Sequence, residues 1–178
     1  MAPVAPLQFE IARDDILELD LPNGEVTVVG EAIGFAEAKM FISCPSDSQA
    51  CRKQAAKANI NSRHERGRTI LSVASATGSG AQVRMTVRVP RDRPVSIKMK
   101  YGELSVTDMQ SDVFARLKAG EVNIGVPSSA VGRVKLAARF GDASLSLLPA
   151  TRPIGDPRSR VIRIGANTYS VAAAYSLS

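Results

Sequence analysis

The sequence is poor in aromatic side chains and contains no motif typical of a catalytic centre. Aromatic residues make up 4% of the 178 residues, and tryptophan is absent. Aromatic rings are the usual stacking surface for bases and sugars, so their scarcity argues weakly against a sugar-binding or a single-strand nucleic-acid platform. The chain has no Gly-x-Ser-x-Gly elbow, no phosphate-binding loop and no His-Glu-x-x-His motif. We therefore predict a protein that is not an enzyme and holds no cofactor.

Cysteine and histidine are also scarce. The chain has two cysteines, Cys44 and Cys51, and one histidine, His64. A closed zinc site needs four ligands, so we predict no metal site. The two cysteines are close enough to form a disulfide where a strand end meets the first turn of a helix, which implies an oxidising compartment. The alternative is two free thiols of a cytosolic protein, and a histidine without a partner carboxylate or nucleophile is expected at the surface.

Long apolar runs are absent as well. No stretch approaches the roughly 18 apolar residues that a membrane-spanning helix needs, so no transmembrane segment is predicted. Residues 1–6 have neither the basic region nor the apolar core of a signal peptide. They fit either a native cytosolic start or a mature exported protein whose signal peptide has been removed. The cysteines favour the second interpretation, and with it a periplasmic, secreted or cell-surface location.

A short phrase of glycine, acid, apolar, small polar and apolar residues recurs four times. It starts at Gly24, Gly102, Gly120 and Gly141, and the last three glycines are 18 and 21 residues apart. This period is about one turn of a β-solenoid, in which glycine supplies the backbone angles of each corner. We predict a mainly β chain, folded as a β-solenoid or parallel-β-helix-like stack of short strands. An antiparallel β-sandwich is the alternative, because such phrases also suit consecutive hairpins.

The chain is expected to form one β-repeat domain over residues 1–178. Its three parts are residues 7–94 with N-terminal strands, a helical insertion and a hairpin, residues 95–148 with the regular repeats, and residues 149–178 with a Pro/Arg-rich loop and final strands. One helix is predicted near residues 47–59, because Ser and Asp caps precede good helix formers. The hairpin is expected between residues 69–76 and 81–90, around a flexible Thr-Gly-Ser-Gly turn.

Alignment of the last three phrases on their glycines produces columns. The residues two and four after each glycine are apolar and are predicted to point inward, as are those one and three before it. The interior columns before the glycine are Tyr101, Ala119, Phe140 and Met99, Leu117, Ala138. The residue directly after each glycine forms an acidic outer column of Glu103, Glu121 and Asp142.

The same alignment stacks basic residues on the outside. The predicted ladder comprises Lys98, Lys100, Arg116, Lys118, Lys135 and Arg139. Adjacent strands lie about 4.8 Å apart, so like charges oppose pairing unless something offsets them. Two interpretations stay open. In the first, the acidic column neutralises the ladder in surface ion pairs, each of which contributes little to stability. In the second, the ladder binds an anionic ligand such as an acidic glycan.

The arrangement resembles the putative-adhesin family of bacterial β-strand-repeat domains, a family largely of unknown function. The resemblance spans about residues 17–177 and rests on Val-Arg-Val-Pro at 87–90, the extended residues 95–100, the glycine phrases and the helix-containing insertion after Gly24. It implies an exported protein with a role in surface attachment, and it brings no catalytic residues. Residues 150–163 depart from the pattern.

Two functions follow as hypotheses. The first is a non-enzymatic exported or cell-surface module with a basic surface, adhesin-like, serving as a binding or scaffold surface. The alternative is a polysaccharide-active parallel β-helix enzyme that uses the repeat carboxylates. Nucleic-acid binding ranks last, because it rests on the net charge of +6 alone. The expected partners are an acidic glycan or another cell-surface component, a protein, or a second copy that pairs with the C-terminal strand.

Overall fold

The computed structural model describes residues 2–12, 14–45, 48–74 and 80–127, together with the backbone of four later strands. The elements, in chain order, are β1 (Ala2–Glu10), β2 (Ile16–Asp20), β3 (Gly24–Glu31), β4 (Phe35–Ser43), α1 (Gln49–Ala55), β5 (Asn59–Glu65), β6 (Arg68–Ala74), β7 (Gln82–Pro90), β8 (Val95–Thr107), β9 (Val113–Pro127), β10 (Arg133–Ala138), β11 (Gly141–Leu148), β12 (Arg158–Arg163) and β13 (Thr168–Ala173). The prediction of a mainly β chain is confirmed. Within the described residues, no helix is long and apolar enough to cross a membrane.

The described strands form one mixed sheet that curls into a nearly closed, barrel-like body. One parallel row runs β6, β2, β8, β9, β13, β10, and a second runs β7, β3, β8, β9, β11. Antiparallel strands flank these rows: β5 pairs with β6, β4 with β7, β1 with β4, and β12 with β10. A regular solenoid therefore does not describe the whole chain, and the strands do not separate into the two antiparallel sheets of a sandwich.

The two parallel rows meet in the long strands β8 and β9, which belong to both. Their first halves pair with β2 and β13, and their second halves with β3 and β11. In the second row Gly24 lies opposite Gly102, Gly102 opposite Gly120, and Gly120 opposite Gly141. The alignment of the glycine phrases is thus the register of the sheet. We call this line of four glycines the glycine corner.

Glycine is required at this corner because the backbones approach closely. Gly102 and Gly120 have φ angles of +128° and +133°. A Cβ atom on Gly120 would lie 1.8 Å from the carbonyl oxygen of Gly102. Residues with a side chain rarely adopt such φ angles, and a carbon atom cannot lie so close to an oxygen atom to which it is not bonded. The corner therefore fixes both the bend of β8 and β9 and their pairing.

The core is built from small aliphatic residues and methionines of both rows. Leu104, Val106, Val122 and Ile124 after the corner are buried, as predicted, and Met99 and Leu117 before it are buried too. Tyr101 was expected inside and is 48% exposed instead, while Ala119 is half-buried. The alternation is interrupted at the corner, where Lys100 and Tyr101 in succession are exposed. Phe140 lies outside the described residues.

The prediction of a hairpin between residues 69–76 and 81–90 is wrong. The strands β6 and β7 exist, but β6 pairs with β2 and β5, and β7 pairs with β3 and β4. The hairpin in this region is β5–β6 instead, since Arg66 and Gly67 both have positive φ angles (50° and 75°) and make a tight turn. Residues 59–65, which lack an apolar alternation, pair as a strand on an exposed edge.

The C-terminal strand does not lie at an edge. β13 sits between β9 and β10, with Val171 opposite Ala115 on one side and Leu136 on the other. Both hydrogen-bonding edges of β13 are therefore occupied, which corrects the expectation of pairing with a second copy for this part of the predicted strand. Residues 174–178 lie outside the described residues. The same insertion separates β9 from β10, which the glycine alignment would place side by side.

The predicted helix and the predicted disulfide both occur in the structure. Helix α1 covers Gln49–Ala55, and its N-cap Ser48 accepts a hydrogen bond from the Cys51 backbone nitrogen at 3.3 Å. It is shorter than predicted because Asn59 already pairs with Ala74 as the first residue of β5. Cys44 and Cys51 form a disulfide with Cα atoms 5.7 Å apart, so the predicted bridge is confirmed.

Candidate functional site

Four of the six predicted basic residues come together beside the glycine corner. Lys98 and Lys100 lie on β8, and Arg116 and Lys118 lie on the adjacent β9, with Lys98 opposite Arg116. All four side chains are exposed because Ile97, Met99, Ala115 and Leu117, which alternate with them, are buried. The four cations and Asp20 line a pocket of about 420 Å³, which we call the cationic pocket.

Lys98 is committed to an ion pair within the protein. Its Nζ donates a hydrogen bond to Glu18, and Arg68 Nη1 donates to the other oxygen of Glu18 at 3.3 Å. The Glu18 side chain is only 13% exposed. The hydrogen bond from Lys98, with a smaller contribution from Arg68, lowers the pKa of Glu18 below its usual value. Lys98 therefore has the role of a partner for a carboxylate that is largely removed from water.

The other three cations keep their charge available. Within the described residues, Lys100, Arg116 and Lys118 take part in no ion pair. Glu103 and Glu121 of the acidic column lie exposed beyond the corner and make no ion pair with these three cations among the described residues. The side chain of Asp142, the third member of the column, lies outside the described residues. The cationic pocket holds four cations and one carboxylate, so its formal charge is three positive.

An aromatic ring lies beside one of the cations that line the pocket. Lys118 Nζ lies 5.9 Å from the centre of the Tyr101 ring, within the range of a cation–π interaction. The Tyr101 backbone nitrogen donates a hydrogen bond to Asn23 Oδ1 at 3.2 Å, which ties this part of β8 to the turn before β3. Sequence reasoning missed Tyr101 as a site residue because the apolar alternation predicted it to be inside.

The remaining two predicted ligand-binding residues are not part of this cluster. Lys135 lies opposite Ser170 of β13, and Ser170 lies opposite Phe114 of β9. Position 135 is thus two strand spacings, about 10 Å, from β9. Arg139 falls outside the described residues. The six-residue ladder is therefore reduced to a cluster of four within the described side chains, and one of these is already paired.

His64 has a carboxylate partner that the sequence did not predict. The ring is exposed, as expected, but its Nδ1 lies 2.6 Å from Asp15 Oδ2. Asp15 is 4% exposed and also accepts a hydrogen bond from the Thr69 hydroxyl at 2.7 Å. The Thr69 hydroxyl is hydrogen-bonded to Asp15 and not to His64. The three residues are therefore a buried carboxylate contacted by a hydroxyl and an imidazole. Among the described residues, no group of three or more potential metal ligands occurs.

Comparisons with known proteins point to the fold. No family model matches the sequence, and no curated protein does. Among solved structures, the chain is similar to a putative cell adhesion protein from Clostridium sporogenes, with 10% identity, a TM-score of 0.52 and coverage of 98% of this chain and 99% of that chain. It is also similar to a putative adhesin from Bacteroides fragilis, with 11% identity, a TM-score of 0.37 and coverage of 80% and 61%. At such identity the first likeness shows that the fold is shared, and the second carries no further weight.

Proposed function

We propose that this protein is a non-enzymatic, exported or cell-surface β-module of the adhesin type that binds an acidic glycan in the cationic pocket. In this proposal the parallel strands around the glycine corner act as a short solenoid-like stack that presents the pocket on a stiff surface. The observation that carries it is the cluster of Lys100, Arg116 and Lys118, whose charges have no ion-pair partner among the described residues.

The chemistry of the pocket suits carboxylate or sulfate groups. The guanidinium of Arg116 can hold an oxyanion with two parallel hydrogen bonds, while Lys100 and Lys118 supply point charges. A charge-assisted hydrogen bond contributes about 1.5–3 kcal/mol, so a few such contacts suffice for specific recognition. Because exposed charges are screened at physiological ionic strength, the test of specificity is binding that survives there.

Two further observations support the exported setting. The Cys44–Cys51 disulfide is typical of oxidising compartments and rare in the cytosol. The chain shares its fold with a solved structure that is described as a putative cell adhesion protein. The enzyme alternative has less support, because Glu103 and Glu121 are both exposed on neighbouring parallel strands, whereas the acid of a glycosidase sits in a pocket that is partly removed from water.

The proposal is tested by charge reversal with a matched control. Lys100→Glu with Lys118→Glu should weaken binding to heparin or to an acidic cell-surface glycan at physiological salt by about tenfold or more, one lost charged contact being sufficient for that change. Lys53→Glu with Lys57→Glu changes the net charge equally at exposed positions on and just after α1, and it should leave the affinity near the wild-type value. An equal loss of affinity in both double variants would mean that only the net charge matters. Unchanged affinity in the Lys100→Glu, Lys118→Glu variant would refute the proposal.

A further inference from the structure

A second pocket lies on the other side of Tyr101. Its volume is about 430 Å³, and it is bordered by the start of β3, the start of β7 and β8 just after the glycine corner. The polar side chains and the ring that line it are Asn23, Glu25, Ser43, Gln82, Arg84, Tyr101 and Glu103. We call it the tyrosine pocket.

The tyrosine pocket combines an exposed ring with groups that recognise hydroxyls. Tyr101 is 48% exposed, and a ring in this state offers an apolar face beside its polar hydroxyl. Gln82 supplies amide donors and an acceptor, and Glu103 supplies two acceptor oxygens. This mixture of one aromatic platform and several directional polar groups fits a ring that carries hydroxyls.

The charge of the tyrosine pocket differs from that of the cationic pocket. Arg84 is already paired with Glu25, since its Nη2 lies 2.8 Å and its Nε 2.9 Å from Glu25 Oε2. Glu103 has no ion pair among the described residues, so the pocket of two carboxylates and one guanidinium carries one net negative charge. A carboxylate at this position repels an acidic sugar and accepts hydrogen bonds from hydroxyl or amino groups.

The two pockets are linked by one contact between a residue of each. Tyr101 lines the tyrosine pocket, and its ring centre is 5.9 Å from the Nζ of Lys118, which lines the cationic pocket. A linear ligand that crosses the Tyr101 ring therefore meets a surface with three positive charges and then one with a single negative charge. Such a pair of neighbouring sites discriminates by the order of charges along the ligand, and not only by their number.

We propose that the tyrosine pocket binds an uncharged or amino sugar next to the acidic sugar held in the cationic pocket, so that the preferred ligand is a polysaccharide in which acidic and uncharged sugars alternate. The inference rests on the proposed function, because it takes the cationic pocket as the site of the acidic sugar. It adds the sugar class of the neighbouring position and a second set of residues.

The test compares two oligosaccharides of equal length by calorimetry at physiological salt. One is a hyaluronan fragment, in which glucuronate alternates with N-acetylglucosamine, and the other is an oligogalacturonate, in which every sugar is acidic. The hyaluronan fragment should bind at least about fivefold more tightly although it carries half the charge, since one neutral hydrogen bond is worth about 1 kcal/mol. Gln82→Ala should remove most of this preference, whereas Thr86→Ala, at an exposed position on the same strand outside the pocket, should keep it.

A second variant probes the charge of the pocket directly. Glu103→Gln should raise the affinity for oligogalacturonate, because it removes the carboxylate that repels an acidic sugar. Equal affinity for both oligosaccharides, or a preference unchanged by Gln82→Ala, would overturn the inference and leave the proposed function in place. Failure to bind hyaluronan, oligogalacturonate and heparin would overturn both the inference and the proposed function, whereas binding of heparin alone would overturn the inference only. A preference for hyaluronan that only the Gln82 and Glu103 variants alter would support the two-site arrangement.

Discussion

Substitution of Gly120 by alanine tests whether the glycine corner determines the fold. The backbone of Gly120 has a φ of +133°, and an added Cβ would lie 1.8 Å from the carbonyl oxygen of Gly102 on the neighbouring strand. The atom in its way belongs to the backbone, so no side-chain rotation relieves the clash. Strands β8 and β9 would have to separate locally by more than an ångström.

The expected cost follows from two contributions. Holding a side chain at such a φ costs about 1–3 kcal/mol. Opening the β8–β9 ladder at the corner loses about two backbone hydrogen bonds, each worth about 1 kcal/mol net. Together these give a loss of about 3–5 kcal/mol in the free energy of unfolding, a large share of the roughly 5–15 kcal/mol that stabilises a typical domain.

The measurement is urea unfolding followed by circular dichroism, with Gly125→Ala as the control. Gly125 lies on the same strand, and an added Cβ there would come no closer than 3.7 Å to the Thr107 side chain. This variant should stay within about 1 kcal/mol of wild type, because it also reduces the freedom of the unfolded chain. With an m-value of about 2 kcal/mol/M, Gly120→Ala should lower the urea midpoint by about 1.5–2.5 M. A Gly120→Ala protein as stable as Gly125→Ala would refute the role assigned to the corner.

Two further predictions concern the disulfide and the half-buried carboxylate of Glu18. Reduction of Cys44–Cys51 should lower the free energy of unfolding by about 2–3 kcal/mol, as expected for so short a loop, and a Cys44→Ser, Cys51→Ser variant should show no response to reductant; identical urea midpoints with and without reductant would contradict this. Because the folded protein lowers the pKa of Glu18, that residue should contribute stability above its ordinary pKa of 4.5 and lose it as the pH falls through the lowered folded value. The urea midpoints of wild type and Glu18→Gln should therefore converge on acidification, and a constant difference between them at all pH values would exclude this linkage.

The register of the glycine phrases could be predicted because its signals are local and repeated. Each phrase places a glycine, an acid and an alternating pair in the same order, so aligning the glycines aligns the strands. The structure places Glu103 opposite Glu121 and Leu104 opposite Val122, as that alignment requires. Four site cations were found by the same argument, since they occupy equivalent positions before successive glycines.

The partners that come from distant parts of the chain could not be predicted. Lys98 and Glu18 are 80 residues apart, and nothing in the local sequence of either indicates the other. Asp15 and His64 meet only because β2 and β5 both flank β6. Tyr101 was assigned to the wrong face because the alternation of a strand does not continue through a corner where glycine adopts a positive φ. The periodicity of the sequence therefore predicts neither the contacts between residues that are distant in the chain nor the direction of side chains at a glycine corner.

The position of β13 has a consequence for the order in which the protein is assembled. This strand, residues 168–173, fills the place between β9 and β10, which are both synthesised before it. The ribosome adds about 5–20 residues per second, so β9 and β10 are available for seconds before their common neighbour exists. During that interval the register that pairs Gly120 with Gly141 also brings β10, which ends just before Gly141, towards the first half of β9. The nascent chain must keep these two strands apart or release a premature pairing. The last step in building this part of the sheet should therefore be the insertion of β13 between β9 and β10.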